Sequence, residues 1–414
     1  MADINETALT IRPTADIVRL RSRSFVFAAI GALVGIVAFI ADSHAPAVLM
    51  QSYLIGYVFW LGITLGSLAV LMIHHLTGGA WGMVARRVLE ASTRNLPLML
   101  ILFIPIAVNL ESLYPWARPG AANDPIIQQK VAYLNKPFFF LRAALYFIVW
   151  FSLAYILNKW SREQDQQPPQ PPGPADRRFR LVSGPGLVLY VLTITFMSVD
   201  WVMSLDPHWY STIFGILTMG GQGLSTMAFT ILTLGMLARF QPMSNVATPD
   251  NFHDLGKLMF AFVLLWAYFS VSQLLIIWSA NLPEEIPFYL ERLDPHGPWY
   301  PVSVAVLIGH FVLPFLLLLS RERKRNFRRV ARVAFFLLVM RVVDIAWTIA
   351  PAFRGHGSGL HLLDFAVVMT MGALWLFAFF TTLMGRSLLP VRDPYFRESL
   401  APHPAEDALA HGAH

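Results

Sequence analysis

Long uninterrupted apolar blocks leave this chain few ways to fold. FVFAAIGALVGIVAFIA (25–41), FFFLRAALYFIVWFSLAYIL (138–157) and AVLIGHFVLPFLLLL (305–319) approach or reach the length at which a helix, rising about 1.5 Å per residue, crosses a hydrocarbon layer about 30 Å thick. Strands buried in a soluble core need no such length. Charged residues make up 14% of the 414 residues, where a soluble domain carries about 25%, so lipid replaces water as the solvent for much of the surface. Reading the blocks between charged or Pro/Gly-rich breaks predicts an all-α integral membrane protein with about ten transmembrane helices. They fall near 24–41, 48–73, 96–113, 137–158, 184–203, 211–237, 256–280, 300–320, 330–350 and 361–384.

Basic residues orient these spans, because short loops rich in Lys and Arg stay in the cytoplasm. The N-terminus, alternate connections and C-terminal segment carry 24 of them, and the other side carries only Arg118, Lys130, Lys136, Arg292 and Arg354. Both termini are therefore expected on the cytoplasmic side, with 1–23 a polar N-terminal segment, 24–384 the membrane domain and 385–414 a tail. The first two dozen residues lack the basic n-region and cleavage site of a secretory signal. The Pro-rich stretch 164–174 reads as a surface linker, and Pro402 to His414 as a flexible tail whose His411 and His414 are weak metal candidates.

WLGITLG (60–66) and LTMGGQG (217–223) put small residues at comparable places in the second and sixth spans, where helices can approach closely. NLESLYPW and IIWSANLPEE end the third and seventh spans alike. An offset of four spans preserves orientation, so 48–203 and 211–350 are candidate parallel four-helix repeats, with the first and last helices outside them. Chance likeness between glycine-rich helices is the competing reading.

Polar groups inside apolar spans carry the functional signal, since a charge at mid-bilayer costs about 2.5–3.5 kcal/mol and faces protein or water when it is kept. His310 lies about ten residues into the eighth span. Arg341 and Asp344, spaced i,i+3, share a face deep in the ninth. They suit a structural ion pair or a hydrated proton path. His74, His253, Asp254 and Lys257 lie toward the cytoplasmic side, as an entrance or as ordinary helix-end charges; Glu111, Asp200 and Asp364 lie toward the other side, as exits or as solvated interfacial groups. In SVDWVMSLDPHWY (198–210), Asp200, Asp206, His208 and Trp209 could surround a quinone head, or the aromatics could form an interfacial belt with no ligand. There is no cysteine, which removes thiolate-held clusters and CxxCH haem attachment. Histidines do not pair at one depth as two b-haems would need, and no nucleotide-binding loop occurs.

SVDWVMSLDPHWYSTIFG (198–215) and HDLGKLMFAF (253–262), together with the ten-span outline, resemble the polysulfide-reductase membrane subunit (NrfD/PsrC-like) family. Within it they are most like the second of the two related membrane subunits of bacterial alternative complex III, and the likeness covers nearly the whole chain. The resemblance implies two four-helix bundles flanked by outer helices in a bacterial plasma membrane. It implies a related polytopic partner that oxidises quinol, iron-sulfur and multihaem cytochrome subunits that carry the electrons, a terminal oxidase as a further partner, lipids around the complex, and no nucleic acid.

Under that resemblance this chain is a subunit of an oxidoreductase without an autonomous redox centre: a proton conduit with, at most, a secondary quinone site. Proton transfer then falls to His310 with Arg341 and Asp344, to His253, Asp254 and Lys257 at the entrance, and to Asp200, Glu111 and Asp364 at the exit. A proton-coupled secondary transporter and a structural anchor remain the alternatives.

Overall fold

The computed structural model describes residues 14–41, 45–168, 174–355, 357 and 359–396. Most of the C-terminal tail, with His411 and His414, residues 1–13, and 169–173 of the Pro-rich linker lie outside the described residues.

The chain is an all-α, multi-pass membrane protein. Its long rods are α1 (Thr14–Ala41), α2 (Ala45–Thr77), α3 (Ala80–Thr93) continued by α4 (Leu96–Val108), α5 (Lys136–Gln166), α6 (Pro174–Trp201), α7 (Phe214–Leu237), α8 (Pro249–Ala280), α9 (Tyr300–Val306) continued through a π turn into α10 (Leu313–Leu319), α11 (Phe327–Ile349) and α12 (Leu362–Met384). Eight of these rods are long and apolar enough to cross a membrane. The other two, α7 and α11, are equally long but dilute their apolar residues, α7 with Gly, Ser and Thr and α11 with four arginines and Asp344.

Large apolar side chains such as Phe25, Leu33, Leu141 and Leu181 stand more than half exposed around the rods, as suits a surface that meets lipid. α2 is the reverse case, covered by protein along nearly all of its apolar stretch. It packs against α3, α6, α7, α11 and α12, and α7 in turn packs against α6, α8 and α11. α1 lies mainly along α12. The small residues of the two glycine-rich strings meet where α2 crosses α7. A Cβ at Gly66 would come within 2.6 Å of the Gln222 carbonyl, so glycine is what permits this approach.

Caps explain where the rods start. Thr248 accepts the Asn251 amide ahead of Pro249, Asn326 accepts those of Arg328 and Arg329, and Asn135 accepts that of Phe138. α12 opens on a reciprocal pair in which His361 Nδ1 accepts from Leu363 N and Asp364 Oδ2 accepts from His361 N.

Residues 14–23 of the expected N-terminal segment are helical, forming the first turns of α1, where Asp16 and Arg19 pair at i,i+3. Two sequence expectations need correction. The stretch 77–95 is mostly helix, and its Arg86 and Arg87 are buried rather than solvated loop charges. Trp209 is not an interfacial anchor: it is buried and stacks on Phe288 with ring centroids 4.2 Å apart.

Candidate functional site

A buried cluster of ionisable groups lies where α8, the π turn and α11 meet. The π turn, Leu307–Val312, holds His310 fully buried. Such turns add one residue to a helical turn and recur at functional sites. Asp344 Oδ2 receives the Arg341 guanidinium and, at 3.2 Å, the indole N–H of Trp266; His310 Nδ1 stands 3.8 Å from the same oxygen. The Trp266 and His310 rings meet edge to face at 4.2 Å. Among the described residues, neither ring nitrogen of His310 nor Arg341 Nε has a hydrogen-bond partner.

Chemically, the group offers two proton acceptors, an imidazole and a carboxylate, beside one fixed positive charge. Arg341 and Asp344 nearly cancel each other, which lowers the cost of keeping both in a low-dielectric interior. A cavity of about 370 Å³ lies against them, lined also by Gln273, Tyr289, Ser303 and Trp347. A second apolar groove, about 490 Å³, runs between α1 and α12.

The remaining candidates are committed elsewhere. Asp200 is fully buried and held by Arg142 Nε and Nη2, each at 2.8 Å, and by the Tyr146 hydroxyl at 2.6 Å. The Arg142 guanidinium lies 3.8 Å above the Tyr133 ring. Asp364 takes two bonds from Arg354, at 2.8 and 2.7 Å, and one from Ser52 at 2.6 Å. Glu111 pairs with Lys136 at 2.5 Å on the exposed surface. Lys257 donates to Asp254 at 3.1 Å, with His253 Nδ1 3.9 Å from the same oxygen, at the start of α8. His74 is buried with its ring edge-on to Trp81, while His75 stacks on Phe179.

Of the four residues expected around a quinone head, Asp206 and Trp209 border one space and His208 Nδ1 stands 3.7 Å from Asp206 Oδ1, while Asp200 is engaged apart from them. Asp200 is locked in its ion pair. His208 contacts Asp124 at 2.9 Å on the exposed rim. Slight desolvation of Asp124 is outweighed by the amides of Ile126 and Ile127 and by His208, so its carboxyl lies below the usual range. Asp206 and Trp209 border a space of only about 30 Å³, beside Phe288 and Arg292. Arg292 closes that end of α11 by donating to the carbonyls of Phe288, Trp347 and Thr348; burial pulls its guanidinium down to about 10, against the opposing pull of Glu291, Tyr289 and Asp206.

Sequence reasoning did not single out the largest buried charge network. Arg86 donates to Glu90 at 2.9 Å, to Gln164 at 2.9 Å and to Asp393 at 2.5 Å. Arg87 bridges Glu90, Ser161 and Asp165, and Arg386 reaches Glu90 at 3.1 Å. This network ties the segment after α12 onto α3 and α5. The i,i+3 and i,i+4 spacing of Arg87 and Arg86 to Glu90 was the available signal, and it is hidden once the stretch is read as a loop. Trp266 was also missed, since an indole inside an apolar span looks like packing.

No family model matches the chain, and no curated protein matches it. Among the described residues no group of three or more His, Cys, Asp or Glu is arranged to hold a metal ion.

Proposed function

We propose that this chain is a membrane subunit of a bacterial quinol-oxidising respiratory complex, and that its second helical half conducts protons. The observation that carries this reading is the cluster of His310, Arg341 and Asp344, ionisable groups kept deep between long helices beside a cavity. In the proposed arrangement all ten rods cross the plasma membrane, α2 to α6 and α7 to α11 form two four-helix bundles, and α1 and α12 lie outside. Both termini face the cytoplasm. The related membrane partner oxidises the quinol, and iron-sulfur and multihaem subunits carry its electrons toward cytochrome c or an oxidase.

Protons enter this scheme near His253, Asp254 and Lys257, pass between His310 and Asp344, and leave toward the opposite face. Arg341 sets the proton affinity of both. The extensive pairing of Asp200 and Asp364 with arginines supports structural roles for these two rather than release of protons.

Asp344→Asn keeps the side-chain size and removes the titratable oxygen. In vesicles containing the intact complex, with subunit content matched, the variant is expected to oxidise quinol while moving markedly fewer protons per electron. Normal assembly with unchanged proton stoichiometry would leave Arg341 and Asp344 as a structural pair and this chain as an anchor. Solute-dependent transport by the isolated chain would replace the respiratory reading with a proton-coupled transporter.

A further inference from the structure

The run RERKRNFRRVAR (321–332) joins α10 to α11 and carries seven cations against the one carboxylate of Glu322. Lys324 is buried against Gly256, and Arg325 pairs with Asp250 at 3.1 Å. Arg321, Arg323, Arg328, Arg329 and Arg332 make no ion pair among the described residues, whereas Arg86, Arg87, Arg178 and Arg386 are each held by a carboxylate. The unpaired arginines adjoin an apolar face. On α11, Arg328, Arg332, Phe335 and Val339 are all exposed, and their spacing of i, i+4, i+7 and i+11 sets them in one stripe along the helix. Leu316 and Leu319 on α10, which packs beside α11, are more than half exposed as well. Arg332 Nε donates to the Arg328 carbonyl at 3.3 Å, which turns its guanidinium toward the polar end of the stripe. From Arg328 to Val339 the stripe is roughly 16 Å long at the helical rise, close to the depth of one leaflet of a bilayer.

We propose that this stripe binds an anionic phospholipid, with its phosphate held by Arg328 and Arg332 and an acyl chain lying along Phe335 and Val339 against Leu316 and Leu319. The guanidinium fork matches the oxygens of a phosphate, and arginines clustered beside a span attract anionic lipid. Arg321, Arg323 and Arg329 add charge around the headgroup. Basic charge alone serves to orient a span. Its alignment here with an exposed apolar column is what points to a lipid, because an acidic protein or free phosphate would satisfy the arginines and leave Phe335, Leu316 and Leu319 uncovered. The proposal rests on α10 and α11 lying in the bilayer and on neither quinol oxidation nor proton conduction, so its failure leaves the conduit reading in place.

The test is photolabelling of the full chain, with any subunits that copurify, in phosphatidylcholine vesicles containing a trace of phosphatidylglycerol that carries a diazirine in one acyl chain. Peptide mapping is expected to place label in 313–320 and 332–339, displaced by unlabelled phosphatidylglycerol and not by added phosphatidylcholine or inorganic phosphate. Arg328→Gln with Arg332→Gln is expected to cut that labelling at least fivefold, and the paired lysine substitutions to keep most of it. Arg177→Gln with Arg180→Gln, which removes the same charge from exposed positions on α6, is expected to leave it unchanged. Should the first pair fail to fold, Arg321→Gln with Arg329→Gln takes its place, with at least a twofold loss expected. Label spread evenly over the lipid-facing helices, displacement by phosphatidylcholine or by inorganic phosphate, or equal loss in the α6 control would overturn the proposal. So would protection of Arg332 from phenylglyoxal by a copurifying subunit after lipid has been stripped, which would give this face to a protein.

Discussion

Arg142 on α5 grips Asp200 on α6 through two parallel hydrogen bonds of 2.8 Å, and the Tyr146 hydroxyl closes on the same carboxylate. Such a two-pronged clamp fixes both distance and rotation between the helices. Asp200→Asn removes the charge and leaves a buried guanidinium unpaired, which costs about 3–5 kcal/mol. The expected result is a marked fall in thermal stability in detergent, with the surviving folded fraction still competent in proton transfer. Loss of proton transfer at unchanged melting temperature would instead make Asp200 a relay.

Gly221 on α7 lies flat against the Arg341 guanidinium, and a methyl group there would overlap it. Gly221→Ala should therefore push Arg341 off Asp344 while leaving both residues in the chain. Overpacking of this kind costs about 1–3 kcal/mol. Proton stoichiometry in vesicles is expected to fall in the same direction as for Asp344→Asn, and a normal stoichiometry would argue that the position of Arg341 is immaterial.

Asp393 lies beyond α12 and accepts from Arg86, which is almost wholly enclosed. Asp393→Asn weakens that bond by removing its charge, a loss of about 1–3 kcal/mol for a buried charged hydrogen bond. Limited proteolysis should then cut the segment after Met384 sooner than in the parent. Equal cleavage rates would mean that Arg386 and the apolar contacts of Leu388, Leu389 and Phe396 hold the segment alone.

The pH response of this end follows from Arg386. Burial lowers its pKa from the usual 12.5 to about 10; Arg87 and Arg94 pull the same way, while Glu90 and Asp165 oppose them. The folded value lies below the unfolded one, so the charged form carries a penalty at every pH below about 10, which fades only as pH rises from there toward 12.5. Between pH 6 and 9 the Arg386 contribution is constant. Comparing melting temperatures of the parent and Arg386→Met should give a difference that does not vary across that window; a slope would place another titrating group in contact with Arg386.

Apolar length was enough to locate most of the rods, because nothing else in a chain places twenty hydrophobic residues in line. It failed at boundaries set by charge. Asp16, Arg19, Arg86 and Arg87 look like loop residues until the helix that carries them is seen to continue past the apolar block, outward for α1 and inward under a lid of other charges for α3. The site was half legible: the spacing of Arg341 and Asp344 put them on one face, and His310 stood out by depth. Trp266, the π turn and the cavity depend on how α8, α9 and α11 pack, which no local spacing encodes.

The π turn also bears on how such a sequence can drift. Six residues there hold one more than an ordinary helical turn would accommodate, so the segment behaves as a one-residue insertion absorbed without breaking the rod. Removing a single residue between Leu307 and Val312 would restore regular winding within the turn and leave the helical turns on either side in register. His310 would then swing off its face while every apolar residue around it stayed apolar. Length, here, is as much a part of the site as the imidazole itself.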